Sequence, residues 1–535
     1  MSVRNAADPL EPPIADALPG PPARDEDENI RTPTDAAGPG AMRVMDRRYV
    51  TAALMLVMVL ASMEQTITST AMPTIIGKLQ GLNHYSWVAS IYLLCATVTM
   101  PLYGRLADII GRKRVIVIAI LLFTVGSVLA GWSHSMIELI CFRGMQGLGA
   151  GGIMPVVLTI LGDIFTLEER AKIQGVFSAV WGIASLAGPA LGAVLVKTLG
   201  WRSIFYVNLP AGLLGLLALV WKYHDAEKPH SRDLDLSGAI ALILACVMIL
   251  AVVSGVGPGG WPWSIELLFA FIALAATVIF IRHGRKLDDP IMPLWIITSR
   301  EIGPAIIGSL LMGAGFLCLD TYVPLYVQGG RGGDVTAAAG VVTPVMMTWA
   351  LSGIIAAPMI VRWGFRKTAL VGAVLITIGF AGLVTCAILN LGHVVTTAVL
   401  AITGCGFGPA SMSYLLAAQG AVTWQRRGVA TAGISFFRTL GGAVGIGLLG
   451  TMFNVLSGSA SATAAKLLDP ITRSTVPVSE VAAAQHSIAA ALIWVFVAML
   501  AIALIGILVT AFMRDRNEPL DASDLRHAAS EGMMG

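Results

Sequence analysis

Four ionisable side chains lie inside long apolar stretches of the sequence: Glu64, Arg143, Asp320 and Arg438. On insertion scales a charged residue at the centre of a membrane helix costs about 2.5–3.5 kcal/mol, so such residues mark buried pairs, ion pathways or proton relays. A carboxylate that gains and loses a proton beside a cation can couple proton movement to a conformational change. The four residues predict proton chemistry within a membrane, and we do not expect an enzyme.

Two of these charges have polar neighbours at helical spacing. Thr68 follows Glu64 by four residues and Gln146 follows Arg143 by three, so each pair shares a helix face. Each charge also has an explanation that does not involve proton coupling. Glu64 could belong to a fixed salt bridge, and the Arg143 side chain could extend to the outer surface. Asp320 is suited to a second proton or to a cationic substrate; its alternative position is the outer water boundary.

The elements that must position these residues are membrane helices. Of the 535 residues 56% are hydrophobic and 13% are charged, and the mean hydropathy is +0.78, which leaves too little polar surface for a soluble protein. A spanning helix needs about 20 mostly apolar residues. Fourteen such stretches begin near positions 49, 85, 114, 137, 173, 204, 236, 264, 303, 338, 368, 394, 430 and 484. The distribution of Lys and Arg predicts that both termini and the even-numbered loops are cytoplasmic.

The chain also repeats itself. Glycines alternate at 147, 149 and 151 in predicted span 4, and again at 404, 406 and 408 in span 12. Gly111 precedes a basic pair after span 2, as Gly364 does after span 10. We therefore expect two duplicated six-helix halves with a substrate site between them. The predicted domains are a disordered cytoplasmic tail (1–45), an N-terminal six-helix bundle (46–225), a linker with two inserted helices (226–300), a C-terminal six-helix bundle (301–514) and a cytoplasmic C-terminal tail (515–535).

Several motifs resemble those of one family. The segment 104–114, GRLADIIGRKR, resembles the signature loop between helices 2 and 3 of the major facilitator superfamily of transporters. The segment around Glu64 resembles the helix-1 motif of its fourteen-helix drug–proton antiporters, with Glu in place of the usual Asp. Residues 143–147, RGMQG, resemble their R-x-x-Q-G motif, and Gly188-Pro189 resembles a helix-5 motif associated with antiporters. Arg438 matches their R-x-x-G-G stretch in helix 13.

The resemblance implies an all-α polytopic membrane protein with the major facilitator fold, built from two pseudo-symmetric six-helix bundles plus two extra helices. It implies a multidrug efflux type of antiporter working by alternating access, in which Glu64 and Arg143 couple protons; we add Asp320 to that group. The residues expected to line the substrate cavity are Thr68, Gln146, Tyr322, Tyr326, Trp349, Phe407 and Phe436. Those expected to form gates or to change conformation are Gly104, Asp108, Gly111, Arg112, Asp163, Gly188, Pro189 and Arg438.

The energy source follows from what the sequence lacks. No G-x-x-x-x-G-K-[ST] motif occurs, so we expect the proton gradient to drive transport, without cofactor, metal, nucleotide or nucleic acid. The expected partners are a small amphipathic substrate, protons and the lipid bilayer of the cell membrane. Three alternatives stay open: an exporter of an endogenous metabolite, siderophore or lipid, an uptake symporter, and a membrane sensor that does not transport.

Overall fold

The fold is taken from a computed structural model, which describes residues 44–81, 84–165, 184, 187–224, 235–255, 262–287, 290–422, 427–457 and 477–514. Within these ranges the chain is helical, and no β-strand occurs. The predicted tails lie outside them, apart from residues 44 and 45, where the first helix begins. Most of predicted span 5 also lies outside the described residues.

Apart from the fifth, the long helices begin within six residues of the predicted spans. We label them α1 (Val44–Leu79), α2 (Tyr85–Ile110), α3 (Arg112–Trp132), α4 (Met136–Ile164), α5 (Ala187–Leu199), α6 (Ser203–Lys222), α7 (Leu236–Gly255), α8 (Trp263–Gly284), α9 (Gly303–Leu325, followed by a π-turn at Tyr326–Gly330), α10 and α11 (the parts of Val335–Ile388 before and after Gly364), α12 (His393–Gly420), α13 (Arg427–Ser457) and α14 (Val478–Ala511). Helix α6 begins with a short turn at Ser203–Tyr206, and a separate single turn lies at Trp295–Thr298, between α8 and α9.

The number of spans agrees only in part with the sequence. In the described ranges twelve helices are long and apolar enough to cross a membrane, and α1 is a thirteenth if its two parts form one span. The described part of α5 is too short to cross. The count of fourteen therefore stays a prediction.

Helix α1 is bent by 40° between Glu64 and Thr66. Hydroxyl groups on both sides of this point bond back to the helix: Ser62 donates to the carbonyl of Val59, and Thr66 to that of Met63. Such bonds compete with the backbone ladder and bend helices. The bend thus lies beside the carboxylate that the sequence marks as functional.

The two halves, α1–α6 and α9–α14, share an unusual junction. Gly111 joins α2 to α3 with φ 96° and ψ 143°, and Gly364 joins α10 to α11 with φ 81° and ψ 173°. This combination of a positive φ with an extended ψ suits glycine almost alone. The repeat seen in the sequence is therefore also a repeat of backbone geometry.

The alternating glycines pack in the same way in both halves. In α4 the outer two of the three lie against α2 and the middle one against α3; in α12 the outer two lie against α10 and the middle one against α11. A Cβ atom at any of these positions would come within 2.0–2.5 Å of a neighbouring atom (Gly147, Gly149, Gly151, Gly404, Gly406 and Gly408). Small residues at such contacts let membrane helices approach closely.

Polar contacts join the two halves on the side of the bundle where α1 ends and α2 begins, which we call the α1–α2 face. They are Thr74 Oγ1 to Gln328 Oε1 (3.3 Å), Gln328 Nε2 to Thr70 O (3.0 Å), Tyr85 Oη to Thr321 O, Ser90 Oγ to Ala443 O (3.2 Å) and Lys197 Nζ to Asp334 Oδ2 (2.6 Å). This conformation is thus held together at the α1–α2 face.

The first of the two predicted inserted helices, α7, lies against both halves. Buried side chains of α7, including Leu242 and Cys246, pack with Leu94 of α2 and Phe436 of α13. Thr451 of α13 donates a hydrogen bond to a carbonyl of α7. Helix α7 therefore covers a seam where α2 meets α13.

Candidate functional site

Glu64 and Arg143 form a buried ion pair between α1 and α4. Arg143 Nη1 lies 2.5 Å from Glu64 Oε1, and the two side chains are 2% and 1% exposed. Arg143 therefore does not extend to the surface, which was the alternative for its position. The two charges that the sequence assigned to separate helices meet directly.

Further polar groups complete the surroundings of the Glu64 carboxylate. Thr68 donates a hydrogen bond to Oε1 (3.0 Å), as expected for a residue on the same helix face. Asn208, in α6, donates to Oε2 and also to the Ser127 hydroxyl at 2.9 Å. Both carboxylate oxygens thus have donors, which a buried anion requires.

Arg143 is held by its own set of neighbours. Nη1 also donates to Gln146 Oε1 (2.7 Å), one helix turn further along α4. The guanidinium carbon lies 4.1 Å from the centre of the Tyr92 ring, a distance at which the aromatic face attracts a cation. Nε is buried without a hydrogen-bond partner, so one donor of the cation is left unused.

Asp320 lies in α9 and is buried, with 2% of its side chain exposed. It therefore does not lie at the outer water boundary, the alternative that the sequence left open. Its Oδ1 has no hydrogen-bond partner. Asp320 and Arg143 line the same small cavity, together with Thr68, Ser69, Tyr85 and Tyr92.

Within this cavity, the centre of a water molecule can occupy a volume of about 20 Å³. A site of about 10–15 Å³ suffices for one water, whereas a drug-sized ligand needs about 300–1,000 Å³. A second cavity in the C-terminal half, lined by Gly315, Phe407 and other residues of α9, α11, α12 and α14, is of the same size. In this conformation neither cavity is large enough for a drug-sized ligand.

The aromatic residues predicted for the substrate cavity divide into two groups. Trp349 and Phe407 come together, their ring centres 5.8 Å apart, and Phe316 of α9 joins them at 4.5 Å and 5.4 Å. Trp349 and Phe316 are only partly buried. Two of the residues predicted for the substrate cavity, Trp349 and Phe407, thus form an aromatic cluster with Phe316.

The other three predicted aromatic residues pack against neighbouring helices in this conformation, so their place in a substrate cavity stays a prediction. Tyr322 donates to the carbonyl of Ile446 (2.6 Å) and packs on Tyr85. Tyr326 packs on Phe496, with ring centres 5.4 Å apart. Phe436 belongs to the contact with α7. None of the three lines either cavity described above.

The comparisons with known proteins agree with this arrangement. Residues 54–446 match the model of the Major Facilitator Superfamily. The chain belongs to the major facilitator superfamily. It is 34% identical over 415 residues to the multidrug transporter protein MdtP of Bacillus subtilis, covering 77% of this chain and 76% of that protein. It is 31% identical over 451 residues to multidrug resistance protein 3 of the same organism, covering 80% and 88%.

A solved structure shares the fold. A bacterial homologue of the human lysosomal transporter Spinster superposes with a TM-score of 0.65 at 14% identity, covering 88% of this chain and 98% of that one. Family and fold are those of membrane transporters rather than enzymes. The protein is thus a multi-pass membrane protein of this superfamily, and the two Bacillus relatives are named as a multidrug transporter and a multidrug resistance protein.

The gate residues that mark this superfamily are only partly described. Gly111 begins the turn into α3 and Arg112 is the first residue of that helix, which confirms a tight turn between two helices. Asp108 and Asp163 lie in α2 and α4, but their side chains are outside the described part of the structure. Their gate roles stay predictions.

Helices α5 and α13 contribute three more of the expected residues. Gly188 and Pro189 are buried in α5, and a Cβ atom at Gly188 would lie 1.9 Å from Thr66 Oγ1. The tight interface is therefore with α1, beside its bend. Arg438 is partly buried in α13, and its carbonyl faces Gly313 of α9.

Sequence reasoning missed four residues of this site: Asn208, Ser127, Tyr92 and Phe316. Asn208 carried a signal, since an amide within an apolar span must find a partner. Ser127, Tyr92 and Phe316 carried none, because a lone hydroxyl or aromatic side chain in a membrane helix is usual.

Proposed function

We propose that this protein exports amphipathic, often cationic compounds across the cell membrane in exchange for protons, with both termini in the cytoplasm. The observation that carries the proposal is the buried pair of Glu64 and Arg143, because a carboxylate there can accept a proton. The names of the two Bacillus relatives support drugs as the class of substrate.

The energetics of the pair suit such coupling. Protonation of Glu64 removes its charge and leaves Arg143 unpaired in a buried site, and breaking a buried pair destabilises by about 3–5 kcal/mol. Reversing a two-state equilibrium from 1:99 to 99:1 takes about 5.5 kcal/mol. One proton on Glu64 therefore supplies much of the free energy that a change between two conformations needs.

The architecture supports alternating access as the mechanism. The contacts at the α1–α2 face hold one side closed, and the pair of Glu64 and Arg143 lies deeper in the N-terminal half. We propose that these contacts break when the halves rock, so that the site opens to the α1–α2 face. The bend in α1 beside Glu64 would transmit the change of charge to that movement.

The proton gradient is the proposed energy source, and no cofactor or nucleotide enters the mechanism. Substrate would leave through the face opposite to the one from which it entered, while a proton moves the other way. The contacts of the aromatic cluster and the membrane carboxylates would select apolar, cationic compounds.

A susceptibility panel tests the proposal. A strain without the protein, and strains with the wild type, Glu64→Gln, Glu64→Asp and the exposed control Glu480→Gln, are compared against cationic and neutral drugs. We expect resistance with the wild type and Glu480→Gln, its loss with Glu64→Gln, and partial retention with Glu64→Asp. Resistance that persists with Glu64→Gln would remove the role of this carboxylate.

The direction of transport is tested in inside-out membrane vesicles. When the vesicle interior is made acidic, an exporter coupled to protons accumulates substrate inside, whereas an uptake symporter does not. The same vesicles lose this accumulation when an ionophore collapses the gradient. Accumulation that continues after the collapse would overturn proton coupling.

A further inference from the structure

The cavity beside the ion pair is lined by two residues with unsatisfied hydrogen-bonding groups, one a donor and the other an acceptor. Arg143 Nε is an N–H donor without an acceptor, and Asp320 Oδ1 is an acceptor without a donor. Both residues line this one cavity, and the side chains of both are 2% exposed. Buried polar atoms without partners are uncommon in native structures and ask for an explanation.

The cavity itself supplies a means of contact. Its size admits a water molecule, and four of the residues that line it carry hydroxyl groups: Thr68, Ser69, Tyr85 and Tyr92. A water there has several polar partners, which an ordered buried water needs. Hydrogen bonds through a water molecule in this cavity can therefore connect Arg143 and Asp320 without a large movement of the backbone.

The net charge of the buried site limits how many of its carboxyl groups can be ionised at once. Three ionisable groups surround this region: Glu64, Arg143 and Asp320. With both carboxyls ionised and one guanidinium, the buried site carries an excess negative charge, which is unfavourable in a low dielectric. One proton on either carboxyl makes the site neutral. Because Glu64 holds Arg143 in this conformation, the proton belongs on Asp320.

We infer that Asp320 is the second partner of Arg143, and that a single proton passes between Asp320 and Glu64 as Arg143 changes partner. The inference rests on the proposed function and deepens it. In the exchange, the Asp320 carboxyl gives its proton to a water molecule that enters the cavity, and the Thr68 hydroxyl, which bonds to Glu64 Oε1, takes up that proton while it passes its own to Glu64. Arg143 moves its hydrogen bonds from the Glu64 carboxylate to the Asp320 carboxylate, so charge and atoms balance.

The positions of the two carboxyls fit a directed relay. Glu64 lies 15 residues before the end of α1 at Leu79, roughly 22 Å along the helix. Asp320 lies 10 residues before the end of the π-turn at Gly330, roughly 15 Å at the same rise. Its neighbour Thr321 bonds to Tyr85, the first residue of α2. Asp320 is thus the nearer of the two to the α1–α2 face, where a proton from that side would arrive first.

The groups that face Asp320 do not replace it in this role. Tyr85 and Tyr92 approach from α2 and Arg143 from α4, while α1 contributes the hydroxyl groups of Thr68 and Ser69 and α13 contributes Ile446. Cys318 lies two residues away on α9 itself. Among these, Asp320 is the carboxyl that can hold the exchanged proton.

Infrared spectroscopy of the purified full-length protein tests the assignment directly. A protonated carboxyl gives a C=O band that a carboxylate lacks. At neutral pH, without substrate, we expect such a band in the wild type and in the exposed control Glu480→Gln, and its loss in Asp320→Asn. In Glu64→Gln the band should also be lost, because Asp320 then ionises to balance the charge of Arg143. Asp320→Glu should restore the band at a shifted frequency, which keeps the test valid if Asp320→Asn does not fold.

Transport by the same variants in liposomes completes the test. We expect Asp320→Asn to lose transport driven by a pH gradient while it retains exchange of labelled for unlabelled substrate, and Asp320→Glu to regain the driven transport. An unchanged band and unchanged driven transport in Asp320→Asn would overturn the relay. If Glu64→Gln still abolishes driven transport in that case, the proposed function stands; if neither variant affects it, both fail.

Discussion

Lys197 Nζ lies 2.6 Å from Asp334 Oδ2, and this ion pair joins the end of α5 to the residue that caps α10. It connects the two halves at the α1–α2 face, where the hydrogen bonds of Gln328 and Tyr85 also cross. Both side chains are about half exposed (50% and 57%). Exposed pairs contribute about 0–1 kcal/mol, so this contact helps to close the face without locking it.

Holding this contact closed should stop transport. We expect the double variant Lys197→Cys and Asp334→Cys to lose export when the two thiols are joined by a bifunctional thiol cross-linker, because α5 and α10 can then no longer separate. The measurement is substrate efflux before and after treatment, in a background where the exposed Cys141 is replaced. Each single cysteine variant serves as the control. Unimpaired efflux by the joined protein would mean that the α1–α2 face does not open.

The same ion pair should not sense the acidity that drives transport. The hydrogen bond from Lys197, followed by that from the backbone N–H of Ala337, holds the pKa of Asp334 below its usual 3.8. A lowered carboxyl pKa contributes stability that is present above the ordinary value and is lost only as the pH falls through the lowered one. Between about pH 5 and 8, Asp334→Asn should therefore leave the shape of the pH–transport profile unchanged. A profile that flattens in Asp334→Asn would assign proton sensing to the surface pair.

Asn208 should matter for coupling, because it donates a hydrogen bond to Glu64 from α6. Hydrogen bonds to charged groups contribute about 1.5–3 kcal/mol, which corresponds to about a tenfold effect or more on an equilibrium. We expect Asn208→Ala to reduce proton-driven transport about tenfold or more, but less than Glu64→Gln does. Initial rates in liposomes measure this effect. Glu480→Gln, at an exposed position outside the site, is the control.

Substitutions in the aromatic cluster should affect stability at one position and substrate preference at another. Phe407 is completely buried, so Phe407→Ala should lower the free energy of unfolding by about 3–5 kcal/mol. Trp349 is partly exposed, and its aromatic contacts are worth about 0.5–1.5 kcal/mol each. Trp349→Ala should therefore change resistance to planar aromatic drugs several-fold while the protein stays folded. Equal loss of resistance to all drugs would argue for a packing role alone.

Much of the architecture could be predicted from the chain. The long apolar runs give the helix positions because the bilayer fixes their length, and the repeated glycine patterns give the two halves because close packing needs small residues. Glu64 and Arg143 could be singled out because a buried charge has a high free energy. Their mutual contact could not, since it depends on how α1 packs against α4.

The substrate cavity was the least predictable part. Tyr322, Tyr326 and Phe436 have the residue type expected of a drug site, but tertiary packing decides whether an aromatic ring faces a cavity or a neighbouring helix. The partner of Asn208 could not be predicted for a related reason, because Glu64 lies 144 residues away in sequence. The count of membrane spans also depends on residues before α5 that lie outside the described ranges.

Two glycines of the signature turn should respond differently to the same substitution. Gly111 has a φ of 96°, so Gly111→Ala places a side chain in a backbone region that costs about 1–3 kcal/mol. Gly104 lies within α2, and a Cβ atom there would meet nothing within 4 Å. In a helix, alanine is favoured over glycine by about 1 kcal/mol. Thermal unfolding should therefore show a less stable Gly111→Ala and a Gly104→Ala at least as stable as the wild type.

Transport by Gly104→Ala then reports on the conformation that this structure does not adopt. If the opposite half approaches Gly104 closely when the α2–α3 turn closes, the added methyl group will slow export although the protein is fully stable. Export rates of Gly104→Ala and of Gly340→Ala, which has equally open surroundings in α10, provide the comparison. A normal rate in Gly104→Ala would place the gate contact elsewhere on the turn, because a close approach at residue 104 requires the absence of a side chain.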